Sequence, residues 1–291
     1  MSSQITTAFV EQYSANVQML SQQMGSQLRS AVDVESITGK NAFFEQVGSV
    51  AAVKKTSRHS DTPQLDTPHA RRRVSLEDYV WADLSDDVDK VRMLIDPTSS
   101  YAKAAAAAMN RAIDDVIITA LGGTAFTGVS GGTSTALPSA SKFATADQSD
   151  GLTIAKLLAA KKRFDLQSVD PSIPRYIVCG PNQISDLLAT TEIKSSDFNT
   201  VKALAQGDID SFLGFKFITS NRLNLDSTNT DDRLCFAFTQ DAVKLAIGKD
   251  ITAKMDERYD KNYSTQVYYC MSVGATRMEE VKVFQIPCHE A

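Results

Sequence analysis

Residues 53–74, VKKTSRHSDTPQLDTPHARRRV, form the most unusual stretch of the sequence. They hold six Lys or Arg against two Asp, repeat Asp-Thr-Pro at 61–63 and 66–68, and include almost nothing that could build a core. Alternating patterns typical of strands lie on either side, at 32–53 and at 74–81. Because proline disfavours ladder pairing and a charged tip stays solvated, the arrangement predicts a projecting hairpin.

This basic hairpin has three interpretations. Contact with a partner comes first, because an extended arm is costly in entropy unless something orders it. A mobile surface loop comes second. Nucleic-acid binding comes third, since no aromatic residues are interleaved in the basic stretch to stack on bases. The residues expected to contact a partner are Lys54, Lys55, Arg58, Arg71, Arg72 and Arg73.

The first thirty residues place apolar side chains at steps of three and four, which predicts a helix with one apolar stripe. Such a helix either packs against its own domain or lies as an arm across a neighbouring molecule, and the sequence leaves both open. In the second case Phe9 and Tyr13 are candidate contacts.

A second long helix is predicted at about 97–121. Asp96 and Pro97 form a typical helix start, and Gly122-Gly123 mark its end. At about 1.5 Å per residue, some 25 residues make a rod of roughly 37 Å. The following stretch, 123–150, is rich in Gly, Ser, Thr and Ala and predicts a connecting loop or an exposed hairpin.

The rest of the chain mixes helices and strands. Residues 151–247 alternate between the two patterns, as in a compact α/β unit, and include a predicted helix around Val201 and Leu204 and a predicted strand at 212–218. From 248 onward, long alternating runs predict strands. The chain is therefore expected to be α+β with a discontinuous second domain.

Composition excludes several classes of protein. A net charge of −5 without a basic tail argues against a dedicated nucleic-acid binder. No run of eighteen apolar residues and no signal peptide is present, so we expect a cytoplasmic protein with no membrane contact. Its cysteines, Cys179, Cys235, Cys270 and Cys288, lie far apart and predict buried free thiols.

The sequence offers no catalytic constellation. Its histidines, His59, His69 and His289, lie at the polar tip and the C-terminus, and no HExxH, GxSxG or GxGxxG motif occurs. The acidic pairs Asp114-Asp115 and Glu279-Glu280 are expected to be solvated or salt-bridged. We therefore expect no catalytic residue, no metal and no cofactor.

Nine segments, in order and nearly end to end, resemble tailed-bacteriophage major capsid proteins of the Hong Kong 97 type fold. They are ITTAFV (5–10), KTSRHSDTP (55–63), DTPH (66–69), RRRV (71–74), YVWAD (79–83), LIDPTS (94–99), NTVKAL (199–204), FLGFKF (212–217) and VGATRMEE (273–280). The resemblance implies the parts of that fold: an N-terminal arm (1–38), an E-loop (39–82), a peripheral domain with a spine helix (83–122 and 248–291), a connecting segment (123–150) and an axial domain (151–247).

The resemblance also implies a function. Copies would self-assemble into pentamers and hexamers of an icosahedral shell, in the host cytoplasm, around double-stranded DNA that is not bound sequence-specifically. Implied partners are other copies, a portal, and scaffolding or decoration proteins where these exist, and the implied location is the virion. The alternative is a cellular nanocompartment shell of the same fold.

Two departures from relatives matter. The arm-like helix begins almost at Met1, so a separate scaffold or none is expected. Some relatives join subunits by Lys–Asn isopeptide bonds, but Lys54 and Lys55 precede the proline-containing tip and no matching Asn is identified, so cross-linking is a lesser hypothesis. We expect Arg71, Arg72 and Arg73 to contact carboxylates of an adjacent subunit instead.

Overall fold

Three β-sheets and three α-helices organise the described part of the chain. The computed structural model describes residues 21–58, 61–62, 64–85, 98–143, 150–189, 211–227 and 230–290. The helices are α1 (Thr98–Gly122), α2 (Ile154–Leu166) and α3 (Pro181–Ala189). The strands are β1 (Asp33–Ser36), β2 (Asn41–Val47), β3 (His69–Ser75), β4 (Glu77–Ser85), β5 (Ala125–Thr127), β6 (Thr133–Thr135), β7 (Arg175–Cys179), β8 (Ser211–Phe212), β9 (Phe215–Thr219), β10 (Asp232–Thr239), β11 (Val243–Arg258), β12 (Ser264–Arg277) and β13 (Val283–His289).

The predicted hairpin is present. Strands β2 and β3 pair antiparallel, with Phe44 opposite Arg72, and the ladder closes where the N–H of Gly48 donates to the carbonyl of Pro68 at 2.8 Å. A Cβ on Gly48 would lie 2.6 Å from the Pro68 ring, so only glycine permits this approach. Beyond this point the described tip residues are all exposed.

The predicted strand at 74–81 is two strands. Strand β3 ends at Ser75 and β4 begins at Glu77, and the two belong to different sheets. The N–H of Leu76, between them, donates to the carbonyl of Lys40 at 3.0 Å. Alternation continues across Leu76, so the sequence pattern could not reveal the change of sheet.

The hairpin belongs to a four-stranded sheet in the order β2-β3-β5-β6. Strands β5 and β6 form a short hairpin of their own, so the second of the two alternatives for 123–150 holds over 125–135. One face of the β2–β3 pair covers a small core. Its buried members are Ile37, Phe44, Val74, Ala246 and Met278.

Helix α1 confirms the predicted long helix. Buried side chains recur along it every four residues, at Ala105, Met109, Ile113, Ile117 and Leu121. The N–H of Gly123 donates to the carbonyl of Thr119, and a Cβ at 123 would come within 2.5 Å of that oxygen. The doubled glycine therefore ends the helix, as expected.

The α/β unit forms a five-stranded sheet in the order β13-β10-β7-β9-β8. Thr153 caps α2 by accepting from the N–H of Lys156. The predicted strand at 212–218 is broken into β8 and β9, because Leu213 and Gly214 adopt positive φ in a turn. The predicted helix around Val201 and Leu204 lies outside the described residues.

Strand β13 pairs antiparallel with β10, placing Ile286 opposite Cys235. This pairing differs from the expected grouping of 248–291, because β13 shares its sheet with the α/β unit. The strand is buried along almost its whole length. An apolar run predicts a buried strand but carries no information on its distant partner.

The chain divides into two compact units. One holds the described residues within 1–25, 78–111 and 249–271, and the other holds the rest. Within the first, Trp81 and Tyr269 meet edge to face at 6.4 Å between ring centroids. Helices α1, α2 and α3 are the only α-helices among the described residues, and none is long and apolar enough to span a membrane.

The predicted N-terminal helix is absent over 21–28, and 1–20 lie outside the described residues. The buried carboxylate of Asp114 accepts the Ser26 hydroxyl at 2.6 Å and the N–H groups of Gln27 and Leu28 at 3.1 Å each. Because Asp114 takes these backbone donors, they are not available for an i−4 helical bond. The prediction is therefore wrong for 21–28.

Gly274 lies very close to the backbone of Ser75, and this close approach gives a prediction about stability. A Cβ there would lie 2.3 Å from the Ser75 carbonyl oxygen, which is backbone and cannot move aside cheaply. Gly274→Ala should destabilise the subunit by about 1–3 kcal/mol in chemical denaturation, as expected for overpacking. Gly25→Ala, where nothing lies within 4 Å, is the control and should have little effect. Equal stability of the two variants would contradict the expectation.

Candidate functional site

The basic residues of the hairpin fall into two groups. Lys54, Lys55 and Arg58 lie on the exposed tip, and no hydrogen bond or ion pair joins them to another described residue. Arg71, Arg72 and Arg73 lie on β3, where neighbouring side chains point to opposite faces of the sheet. The strand therefore separates Arg72 from the other two.

Arg72 points into the protein and is 6% exposed. One terminal nitrogen donates to both carboxylate oxygens of Glu280 at 2.7 Å, and Nε donates to the Met278 carbonyl at 3.0 Å. The carboxylate partner of Arg72 is thus in its own chain. Contact of Arg72 with an adjacent subunit stays a prediction.

A second arginine completes this cluster. Arg277 is 1% exposed, and its guanidinium donates to the carbonyls of Leu121 at 3.0 Å, Gly123 at 2.7 Å and Thr135 at 3.1 Å. Its Nε lies 3.8 Å from Glu280. Burial lowers the pKa of Arg277 from its usual value, and the nearby carboxylate of Glu280 opposes that shift.

We call these residues the Arg72–Glu280–Arg277 network. It connects the β2–β3 hairpin to the C-terminal end of α1 and to β6. Neither Arg277 nor Glu280 was predicted to pair with Arg72. The one sequence signal for this network is the position of Arg277 within an alternating apolar strand. Such a position predicts a buried arginine, and a buried arginine needs a carboxylate or several carbonyls as partners.

Arg71 and Arg73 lie on the outer face. Arg71 donates to Glu45 at 2.6 Å and lies 5.6 Å from the Phe43 ring centroid. Arg73 lies 4.8 Å over the Phe126 ring and has no ion-pair partner among the described residues. Contact of these two arginines with a neighbouring subunit stays a prediction.

A shallow groove of about 480 Å³ runs along this outer face. It lies between the hairpin and the β5–β6 turn, where Val129 is 87% exposed. Its lining residues are Glu45, His69, Ala70, Arg71, Thr127, Gly128 and Val129. An open groove with charged walls is suited to contact with another macromolecule more than to enclosing a small ligand.

The other candidate residues are dispersed. Phe9, Tyr13 and His59 lie outside the described residues, His69 is exposed, and His289 lies 3.3 Å from the buried Asp232. Of the acidic pairs, Asp115 binds Arg222. Within the described ranges no group of three or more His, Cys, Asp or Glu could hold a metal ion.

All four cysteines are buried and unbridged, which confirms the prediction of free thiols. Burial raises the pKa of Cys179 to about 12. A hydrogen bond with Cys288 and burial raise the pKa of Cys235 well above its usual value. Cys270 behaves oppositely, because the ammonium of Lys249, 3.0 Å away, and the hydroxyl of Thr252 lower its pKa.

The ion network generates a stability expectation. Glu280→Gln removes the carboxylate and leaves two buried guanidinium groups facing each other, which should cost roughly 3–5 kcal/mol in urea denaturation of the isolated subunit. Asp260→Asn breaks an exposed pair with Arg258 and serves as the control, with little expected effect. A Glu280→Gln subunit as stable as the control would show that the network contributes no stability.

The thiols generate a reactivity expectation. The thiolate is the nucleophile, so the folded subunit should react with iodoacetamide at Cys270 first, at a pH below the usual thiol pKa. Lys249→Met should raise the pKa of Cys270 and shift the pH profile of alkylation upward. Peptide mass spectrometry identifies the modified residue. Labelling of Cys179 or Cys235 ahead of Cys270 would contradict this order.

Almost the whole chain is similar in fold to solved structures of phage capsids. The capsid of cyanophage P-SCSP1u matches with a TM-score of 0.74 and 16% identity over 99% of this chain and 95% of that one. Mycobacterium phage Che8 matches with a TM-score of 0.71 and 17% identity over 96% of each chain. The acidic stable capsid of Helicobacter pylori bacteriophage KHP30 matches with a TM-score of 0.72 and 12% identity over 99% and 97%. At these identities the likeness shows the fold.

The sequence comparisons give the family. No curated protein matches the chain. The profile of the family described as phage capsid protein matches residues 5–290, which is almost the whole sequence. This family is structural and not enzymatic, in agreement with the expectation that the chain is not an enzyme. The chain therefore belongs to the phage capsid protein family.

Proposed function

We propose that the chain is the major capsid protein of a tailed phage, and that its copies assemble into pentamers and hexamers of an icosahedral shell enclosing double-stranded DNA. The hairpin is the observation that supports assembly most directly. Its tip exposes Val50 by 57%, Val53 by 57% and Leu65 by 52%, beside Lys54 and Lys55. An ordered segment without a core of its own is stabilised by a partner.

Charge supports another copy as that partner. Residues 40–75 hold seven Lys or Arg and three Asp or Glu, out of 30 and 35 in the whole chain. The remainder therefore holds 23 basic and 32 acidic residues. A basic hairpin on an otherwise acidic chain is attracted to the surface of a second copy and repelled by other hairpins.

The parts of the Hong Kong 97 type fold are assigned as part of this proposal. Residues 1–38 would form the N-terminal arm, 39–82 the E-loop and 151–247 the axial domain. Helix α1 would be the spine helix of a peripheral domain drawn from 83–122 and 248–282. The pairing of β13 with β10 supports moving 283–289 to the axial domain.

The proposal extends to partners and location. A net charge of −5 suits a container for DNA, because tight binding to phosphates would hinder movement of the genome during packaging. The shell would be built in the bacterial host cytoplasm on a portal, with scaffolding or decoration proteins where the phage encodes them. It would remain in the virion.

Electron microscopy of the purified chain, expressed alone and during infection, tests the proposal. Closed icosahedral particles that contain DNA and carry tails are expected. Particles that enclose proteins and no genome would favour the alternative, a cellular nanocompartment shell. A chain that stays monomeric under all assembly conditions would contradict both.

The charges on the hairpin tip give a prediction about assembly. Lys54→Glu/Lys55→Glu reverses two exposed charges that have no partner among the described residues, so the subunit should fold normally and assemble poorly. Lys162→Glu/Lys254→Glu makes the same charge change at exposed sites elsewhere and is the control. Particle yield by sedimentation is the measurement. Equal yields from the two variants would exclude a role for the tip charges.

A further inference from the structure

Strand β2 lies at one edge of its sheet, and its register shows which backbone groups are unused. The N–H of Gly48 donates to Pro68, and the N–H of Leu76 donates to the carbonyl of Lys40. These bonds lie at the two ends of the β2–β3 ladder and fix its phase. In an antiparallel pair, bonded and non-bonded positions alternate along each strand.

The even-numbered residues of β2 therefore bond to β3. The odd-numbered residues direct their N–H and C=O groups away from β3, toward the outer edge. They are Asn41, Phe43, Glu45 and Val47. In the described ranges no strand pairs with this edge, and no hydrogen bond uses these four backbone positions.

This edge has few of the protections that usually prevent strand pairing. Proteins that keep an edge unpaired use charged side chains, above all lysine, or proline, a bulge or a very short strand. The charged residue of β2 is Glu45, and its carboxylate is already paired with Arg71 on β3. Strand β2, NAFFEQV, has seven residues, no lysine, no proline and an uninterrupted register. Its outward residues are exposed, with Phe43 at 40% and Val47 at 66%.

We infer that the outer edge of β2 pairs with an extended segment of a second copy of this chain. Four backbone positions would then exchange hydrogen bonds across the subunit boundary, and the side chains of Phe43 and Val47 would pack beside the added strand. The inference rests on the proposed function and names the backbone contact through which the hairpin engages its neighbour.

A second copy fits this edge better than an unrelated partner. The outer face beside the edge carries Arg71 and Arg73, and the rest of the chain has 32 acidic and 23 basic residues. If the β2 edges of two copies paired only with each other, the contact would be symmetric and would stop at a dimer. A ring of subunits needs a head-to-tail contact, so the added strand must come from a different segment of the second copy. Each copy then offers its β2 edge to one neighbour and its extended segment to another.

Substitution by proline separates the backbone from the side chain. Asn41→Pro removes an outward N–H that β3 does not use, so the isolated subunit should keep its melting temperature and lose particle assembly. Asn41→Ala removes the exposed side chain but keeps the N–H, and it should assemble. Normal assembly of Asn41→Pro, or loss of assembly in Asn41→Ala, would overturn the inference.

Amide hydrogen exchange on the unsubstituted chain tests the inference even where Asn41→Pro does not fold. On assembly, exchange at Asn41, Phe43, Glu45 and Val47 should slow by at least about tenfold. The amides at 42, 44 and 46 already bond to β3 and are the internal control. Particles whose odd-numbered amides stay unprotected overturn this inference and leave the proposed function standing. A chain that forms no particles overturns the proposed function itself.

Discussion

The buried Arg72–Glu280–Arg277 network is the interaction on which the geometry of the hairpin depends. One carboxylate holds two guanidinium groups that cannot reach water, and Arg277 in turn uses carbonyls that the end of α1 leaves without helical partners. Taking such charges out of water is unfavourable unless a counterion lies close by. The network therefore favours the arrangement of hairpin base, helix end and β6 that keeps Glu280 beside both guanidinium groups, since separating them leaves buried charges without a counterion.

Because side chains alternate between the two faces of β3, the burial of Arg72 determines which of its neighbours lie on the surface. Because Arg72 is committed to the interior, Arg71 and Arg73 must face outward, where each lies over a phenylalanine ring. Arg71 is already paired with Glu45, whereas Arg73 has no ion-pair partner among the described residues, so its charge is available to a partner while its stem stays ordered over the ring. One strand thus anchors the hairpin with its middle arginine and presents the flanking two on the other face.

Local patterns in the sequence predicted most of the secondary structure, but they could not predict which distant segments pair with each other. The β2–β3 hairpin, α1 and the buried thiols depend on periodicity, caps and apolar context, which neighbouring residues reveal. The split at Leu76 and the pairing of β13 with β10 depend on partners far away in the chain. The same holds for Arg72, whose basic neighbours suggested contact with another subunit while its partner Glu280 lies 208 residues away. The carboxylate of Asp114 likewise replaced a helix at 26–28 through a contact that no local pattern encodes.

The open edge of β2 also has a consequence for the subunit before it assembles. A flat strand with exposed backbone groups and exposed Phe43 and Val47 is a template for any extended chain, including partly folded copies of itself. During rapid synthesis, productive encounters between finished subunits compete with irregular strand pairing. The balance depends on concentration and on the presence of factors that cover this edge early. We therefore expect the yield of well-formed protein in a heterologous host to depend on kinetics as well as on the stability of the fold.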